Sequence, residues 1–310
     1  MNCQKTNDKN TPKGLRIILA ALAMAILLAP IGGTAAETKT LTDQSGKEVR
    51  VPVSPGRVVA LAPSITEIVF ALEREDLLVG VTRFSNYPEA AARLPSVGSY
   101  VKLDVEKIVS LSPDLCIAIK DGNPLSVVQR IEAMGIPVFA IHPMEIDAVI
   151  RSIYDIGDLL RAEDEAERLV SDMKQRMKRV QEIVSGASEK PSVFFQIGVS
   201  PIVSAGSGTF IHELIERAGG KNAAGSFTRY PMFSKEEVLA LSPDVMILTS
   251  MARQKVFDAV IQEWQQWENL PAVRDGRIYM VDSDLYDRPS PRLVSGLEEL
   301  AQLLHPQLFE

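Results

Sequence analysis

The chain has 310 residues, with 40 acidic against 33 basic side chains and only two cysteines. That acidic balance argues against nucleic acid as a partner, and two cysteines leave no disulfide framework, so stability has to come from an apolar core. The first 36 residues have the form of a secretory signal peptide. Lys5, Lys9, Lys13 and Arg16 precede an apolar run over 17–29, and Thr34, Ala35 and Ala36 supply small residues for cleavage near Ala36. The run falls short of the roughly 20 apolar residues that a membrane-spanning helix needs. Cys3 lies ahead of the run, so no lipidated cysteine follows it. Removing this segment leaves a mature net charge of about −10.

Residues 41–53 alternate loosely around a Ser45-Gly46 turn and read as an edge hairpin. A buried strand over 57–62 runs into Pro63-Ser-Ile-Thr-Glu67, where Ser64 and Glu67 read as a capping box for a helix ending near Leu72. A strand over 77–81 leads to an irregular polar and aromatic loop, 82–88. Asp104 then caps a short amphipathic helix that passes through Ser112-Pro-Asp114 into an apolar strand, 115–119, holding Cys116. A helix over 125–134 and a strand over 138–141 follow.

The stretch 164–185 reads as one long helix. Ala166, Val170, Met173, Met177, Val180 and Val184 recur at steps of three and four, charged residues fill the other faces, and no Gly or Pro interrupts. Beyond it the pattern restarts. A strand over 193–197 leads to a Gly-rich loop at 204–208, a helix over 210–218 and a loop over 219–233. Next come strands over 245–248 and 278–281 and a closing helix over 291–304. The two halves also share a repeat, since Asp104-Val-Glu-Lys-Ile-Val-Ser-Leu-Ser-Pro-Asp returns at a constant offset as Ser234-Lys-Glu-Glu-Val-Leu-Ala-Leu-Ser-Pro-Asp. The expected fold is therefore α/β: two lobes, each a small mostly parallel sheet flanked by helices, over 37–160 and 189–310, joined by a backbone helix over 161–188. Open α/β sheets of this kind bind ligands at the carboxyl ends of their strands.

Catalytic and metal chemistry find little support. Ser204-Ala-Gly-Ser207-Gly lacks the nucleophile-elbow pattern, no phosphate loop is present, and His142, His212 and His305 are scattered without a spaced cluster of ligands. Trp264 and Trp267, three apart on a helical stretch, read as core residues sharing one face. A binding protein thus ranks ahead of an exported hydrolase or a metal-ion chaperone.

Arg57-Val-Val-Ala-Leu-Ala-Pro-Ser-Ile-Thr-Glu, Asn86-Tyr-Pro, Val97-Gly-Ser-Tyr, the two Ser-Pro-Asp repeats and Asp287-Arg-Pro-Ser-Pro-Arg together resemble the helical-backbone class of periplasmic substrate-binding proteins of ABC importers. Within that class the closest resemblance is to the vitamin B12 (cobalamin) binders, through Phe195-Gln-Ile-Gly, Tyr230-Pro and Asp287-Arg288, although those binders carry a tryptophan where this chain has Tyr100. The resemblance implies a non-enzymatic, periplasmic monomer without a resident cofactor. Such a protein carries a corrinoid, or alternatively a ferric siderophore or haem, to a permease dimer with its ATPase subunits.

On this reading a flat macrocycle rests on Phe84, Tyr87 and Tyr100 of the first lobe, with Lys120 and Asp121 nearby. Ile197, Tyr230, Met232, Tyr286, Asp287 and Arg288 form the opposing rim. An exposed acid and base ahead of a helix is commonly a solvated pair. The resemblance instead gives Asp287 and Arg288 hydrogen bonds to the ligand's amide side chains. Only Arg288, Lys120, Arg83 and Arg229 offer positive charge near the cleft, which favours a corrinoid over an anionic siderophore. Glu106 and Glu236 occupy the second position of the repeated helix. There they complement the helix dipole, or, as the resemblance implies, dock onto permease arginines.

Overall fold

Two sheets with parallel cores, one on each side of a long helix, make up the architecture. The computed structural model describes residues 1–2, 37–249 and 255–309, so the signal-peptide reading falls outside the described residues. A hairpin comes first, β1 (Thr38–Thr42) paired with β2 (Glu48–Pro52), and its turn uses Gly46 at φ 87°, a conformation that a side chain would strain. It is a sheet of its own and not the edge of a larger one. Gln44 ties it to the first lobe by donating from its backbone N–H to Ala140 O (2.9 Å) and from Nε2 to Asp155 Oδ2 (2.8 Å).

The first lobe then runs β3 (Val58–Ala60), α1 (Pro63–Ala71), β4 (Leu78–Gly80), the small pair β5 (Gly98–Ser99) and β6 (Lys102–Leu103), α2 (Val105–Ser110), β7 (Leu115–Ile119), α3 (Leu125–Ala133) and β8 (Val138–Ile141). Its sheet has the order β4-β3-β7-β8 with every pair parallel. Continuous aliphatic runs such as Val58–Ala60 belong in such a sheet because helices cover both of its faces. Cys116 lies fully buried in β7, where desolvation pushes its thiol up to about 12.

Two helices bridge to the second lobe. No element is expected from the sequence over Ile146–Leu160, yet α4 occupies it and buries Ile146, Val149, Ile150, Ile153 and Ile156 at helical spacing. Next comes α5 (Glu163–Val184), the expected long helix, 22 residues and so roughly 33 Å in length. Three acids in its first turn suit the positive end of the dipole. Ala166, Val170, Met173, Met177 and Val180 are buried as expected, and each of the larger side chains contributes on the order of 2 kcal/mol by leaving water. α4 packs closely on α5 because Gly157 leaves room, a Cβ there lying 2.8 Å from that of Ala166. One apolar cluster runs unbroken from the first sheet across α4 and α5 to the second, so the two lobes share a core.

The second lobe continues with β9 (Ser192–Val199), β10 (Ile202–Ser204), α6 (Phe210–Arg217), β11 (Lys221–Asn222), β12 (Met232–Phe233), α7 (Lys235–Leu241), β13 (Val245–Leu248), α8 (Lys255–Gln265), α9 (Pro271–Arg274), β14 (Ile278–Met280), α10 (Ser283–Tyr286) and α11 (Leu293–Leu304). Strand order is β12-β10-β9-β13-β14. β9, β13 and β14 are parallel, whereas β9 turns back at Ser200-Pro201 into antiparallel β10, which pairs with antiparallel β12. A loop is expected at that edge, because β10 and β12 are too short to show a period.

Both copies of the repeat are capped by the side chain at the expected position. Asp104 accepts from Lys107 N, and Ser234 forms a full capping box with Glu237. Glu106 and Glu236 stand exposed in the first turns. The paired aspartates hold the strand starts: Asp114 accepts from Gly56 N (2.7 Å) and Arg57 N (3.0 Å), and Asp244 from Ser192 N (2.8 Å). Two expectations are corrected. Pro63 begins α1 two residues early with Ala62 as its uncapped N-cap, so Ser64 and Glu67 lie inside the helix, buried, and form no capping box. Trp264 is buried and donates to Gln196 Oε1 (3.0 Å), but Trp267 lies past the end of α8 and is exposed.

Candidate functional site

The carboxyl ends of β3, β4 and β7 face those of β9 and β14 across a cleft of about 970 Å³. A volume of this size sits at the upper end of the range for small-molecule sites. Of the residues singled out from the sequence, Phe84, Tyr100, Ile197, Tyr230, Asp287 and Arg288 line it. Phe84 and Tyr100 meet edge to face, with centroids 6.3 Å apart. Burial, and then the charge of Asp287, raises the Tyr100 phenol above its ordinary value, and the same two causes lead in pushing Tyr230 up to about 12.

Four expected contacts lie elsewhere. Lys120, the first residue past the end of β7, is exposed and lies outside the lining, whereas its neighbour Ile119 is part of it. Met232 is exposed because side chains alternate along β12, its neighbour Phe233 being the buried one. Tyr87 lies outside the lining, with the Arg292 guanidinium 3.9 Å above its ring. Tyr286 is fully buried behind the cleft, its ring centroid 5.7 Å from that of Phe195 and its hydroxyl donating to Glu299 Oε2 (3.1 Å).

Asp287 and Arg288, adjacent in sequence, do different things. Arg288 Nη1 donates to Glu67 Oε1 and to Asn86 Oδ1 (both 2.8 Å), while Nη2 donates to Phe84 O (3.0 Å) and pairs with Asp284 Oδ1 (2.6 Å). Its guanidinium is therefore engaged in joining the lobes. Asp287 accepts from Thr249 Oγ1 (3.1 Å) through Oδ1, while Oδ2 is buried without a partner. Desolvation is the main reason its carboxyl is pushed up to about 7. An orphaned acceptor on a cleft wall is a group that a ligand's N–H or O–H could satisfy.

The hub of the arrangement is Glu67. Its side chain is only 2% exposed, and four donors from the opposite lobe converge on it: Arg288 Nη1, Ser290 Oγ (2.6 Å), Arg292 Nε (3.0 Å) and Arg292 Nη2 (3.0 Å). Asn86 adds a bond from Nδ2 to Asp284 Oδ2 (2.8 Å). From the sequence Glu67 is expected in a capping box and Arg288 at the ligand, while Asn86, Ser290 and Arg292 enter only as part of the family resemblance. A usable signal existed, since a carboxylate on a short helix whose other side chains are nearly all apolar cannot be buried without a partner of opposite charge.

Residues 58–285 match the family model described as periplasmic binding protein. The chain belongs to that family. It is 33% identical over 309 residues to an uncharacterised ABC transporter substrate-binding lipoprotein, YvrC of Bacillus subtilis, covering 94% of this chain and 97% of that one. Among solved structures, the periplasmic vitamin B12 binding protein BtuF of Vibrio cholerae superposes with a TM-score of 0.72 at 26% identity, over 84% of this chain and 100% of that one. A periplasmic haem-binding protein from Pseudomonas aeruginosa gives 0.75 at 29% identity, over 81% and 93%. This binding protein is thus a substrate-binding component of an ABC transporter, and its relatives are transport proteins rather than enzymes. Among the described residues no group of His, Cys, Asp and Glu could hold a metal ion, and no helix is long and apolar enough to cross a membrane.

Proposed function

We propose that the cleft binds a corrinoid, cobalamin or a close relative, and that the protein delivers it to the permease of an importer. The observation that carries this reading is the combination of aromatic rings on both walls, Phe84 and Tyr100 facing Tyr230, with the unpartnered carboxylate oxygen of Asp287. A corrinoid presents a broad flat face to the rings and amide N–H groups to the acceptor. Among the described lining residues the charged groups are Asp284, Asp287 and Arg288, and Arg288 is already satisfied. An anionic siderophore meets no free cation on that wall. Haem is the second reading, supported by the haem-binding relative and by two phenols in the cleft. Against it, both phenols are raised, which disfavours the phenolate that ligates ferric iron.

Titration with cyanocobalamin, cobinamide, hemin and a ferric hydroxamate, followed by absorbance and calorimetry, decides. The two corrinoids are expected to bind, and Tyr100→Ala to weaken them by roughly tenfold, the scale of one aromatic contact. Tight hemin binding without corrinoid binding overturns the proposal.

The same reading places the protein in the periplasm after cleavage near Ala36, which the mass of the exported protein checks. It also makes Glu106 and Glu236 docking residues. They are exposed, related by the repeat, and follow β6 and β12 at the start of equivalent helices, so one carboxylate per lobe can meet a basic pocket on each half of a two-fold permease. Glu106→Gln with Glu236→Gln is expected to spare ligand affinity and abolish stimulation of the importer's ATPase. Undiminished stimulation leaves only the dipole role.

A further inference from the structure

Among the described residues two side-chain ties cross the rim of the cleft, and strand order puts them at its opposite ends. In the first sheet, β4-β3-β7-β8, the residues that cross over are Asn86 and the Phe84 carbonyl after β4 and Glu67 after β3 at one end, and Asp121 after β7 at the other, beside His142 after β8. In the second sheet, β12-β10-β9-β13-β14, their partners Asp284, Arg288, Ser290 and Arg292 follow β14, whereas Arg229 lies in the loop that leads into β12.

The two ties differ in kind. At the Glu67 end the side chains are 2% (Glu67), 11% (Arg288) and 19% (Arg292) exposed, and the bonds are several, short and partly bidentate. Water cannot readily replace such a network. At the other end Asp121 and Arg229 are 44% and 66% exposed, and their single contact, Asp121 Oδ2 to Arg229 Nη1, is 3.5 Å long. Asp121 Oδ2 also meets His142 Nε2 at 2.9 Å within its own lobe, so it has an alternative partner when Arg229 leaves. A third crossing, Ile146 N–H donating to Glu213 Oε2 (2.8 Å), lies on the floor, where Ile146 is buried in the shared core with Phe210 and Ile211.

The geometry points to a one-ended cleft: the lobes pivot on the Glu67 cluster and the floor, and the mouth opens where Asp121 meets Arg229. The Asp121–Arg229 contact is a gate rather than a structural tie, because an exposed pair at that distance holds little against solvent and salt. Tyr230 and Gly122 line the cleft and are the sequence neighbours of the gate residues, so opening there uncovers the aromatic wall first.

Spin-label distance measurements on the ligand-free protein test this without reference to which ligand it carries. In a Cys3→Ser background, with Cys116 buried, one pair, Leu125→Cys with Ser226→Cys, spans the gate end, and another, Glu89→Cys with Met280→Cys, spans the pivot end. The gate pair is expected to give the broader distance distribution. It should broaden and lengthen further in Asp121→Ala, or at about 1 M salt where screening acts within roughly 3 Å, while the pivot pair stays unchanged. Equal widths at the two ends, or a pivot pair that widens together with the gate pair in Asp121→Ala, overturn the inference. Asp121 is exposed, so this variant does not threaten folding.

Discussion

Replacing Glu67 by alanine is expected to lower stability by about 3–5 kcal/mol, the scale seen when one partner of a buried ion pair is removed. The cost comes less from the lost attraction than from what stays behind: Arg288 and Arg292, both largely out of water, and the Ser290 hydroxyl lose the acceptor that four donors share. Arg288 keeps Asp284, Asn86 and the Phe84 carbonyl, whereas Arg292 keeps, among the described residues, the Asp284 carbonyl (3.3 Å) and its stacking on Tyr87. Glu67→Gln should cost less, because an amide still accepts from one side. A Glu67→Met, Arg292→Met pair should recover part of the loss, since removing both members of a buried pair is often nearly neutral. Urea unfolding followed by circular dichroism measures all three. A Glu67→Ala loss below about 1 kcal/mol would mean that water screens the network as it does a surface pair.

Legibility in the sequence follows how each feature is encoded. The long helix was readable because twenty-two residues carry enough apolar repeats to fix a period, and Ala166, Val170, Met173, Met177 and Val180 are buried as that period requires. The paired lobes were readable because the repeat copies its own caps, Asp104 and Ser234. β10 and β12, at three and two residues, are shorter than any period, and their pairing depends on partners distant in sequence. The cleft was half readable for a related reason. Loops after strands can be located, so Phe84, Tyr100, Tyr230 and Asp287 were found, but the direction of a side chain within a loop is set by tertiary neighbours. Tyr286 and Asp287 are adjacent, and one packs behind the wall while the other forms it. Arg288 lines the cleft as expected, but its bond to Glu67 is not legible, because that buried carboxylate is more than two hundred residues away in the chain.

Asp287→Asn is expected to raise stability, by an amount that grows as pH rises above about 4 and levels off above about 7. In the folded protein the Asp287 carboxyl is pushed up to about 7 from an ordinary value of 3.8, mainly by burial. Between those two values the folded state holds a proton that the unfolded chain has released, so stability falls as pH rises through the window. The penalty is absent below about pH 4 and complete above about pH 7, where a shift of this size corresponds to something on the order of 4 kcal/mol. Asparagine keeps an oxygen for the Thr249 hydroxyl and carries no charge, so the variant should match wild type near pH 4 and exceed it at pH 8. Thermal melts across that range show whether the two curves diverge; a constant difference between them would remove Asp287 from the titrating groups. Ligand binding supplies the other half of the argument. If Asp287 Oδ2 accepts a hydrogen bond from the ligand, the stabilised variant should bind more weakly, because an amide is a poorer acceptor there than a carboxylate and can turn a donor toward the ligand's own N–H. A carboxylate that destabilises the empty protein and strengthens the loaded one is what a binding wall retains at the expense of its fold.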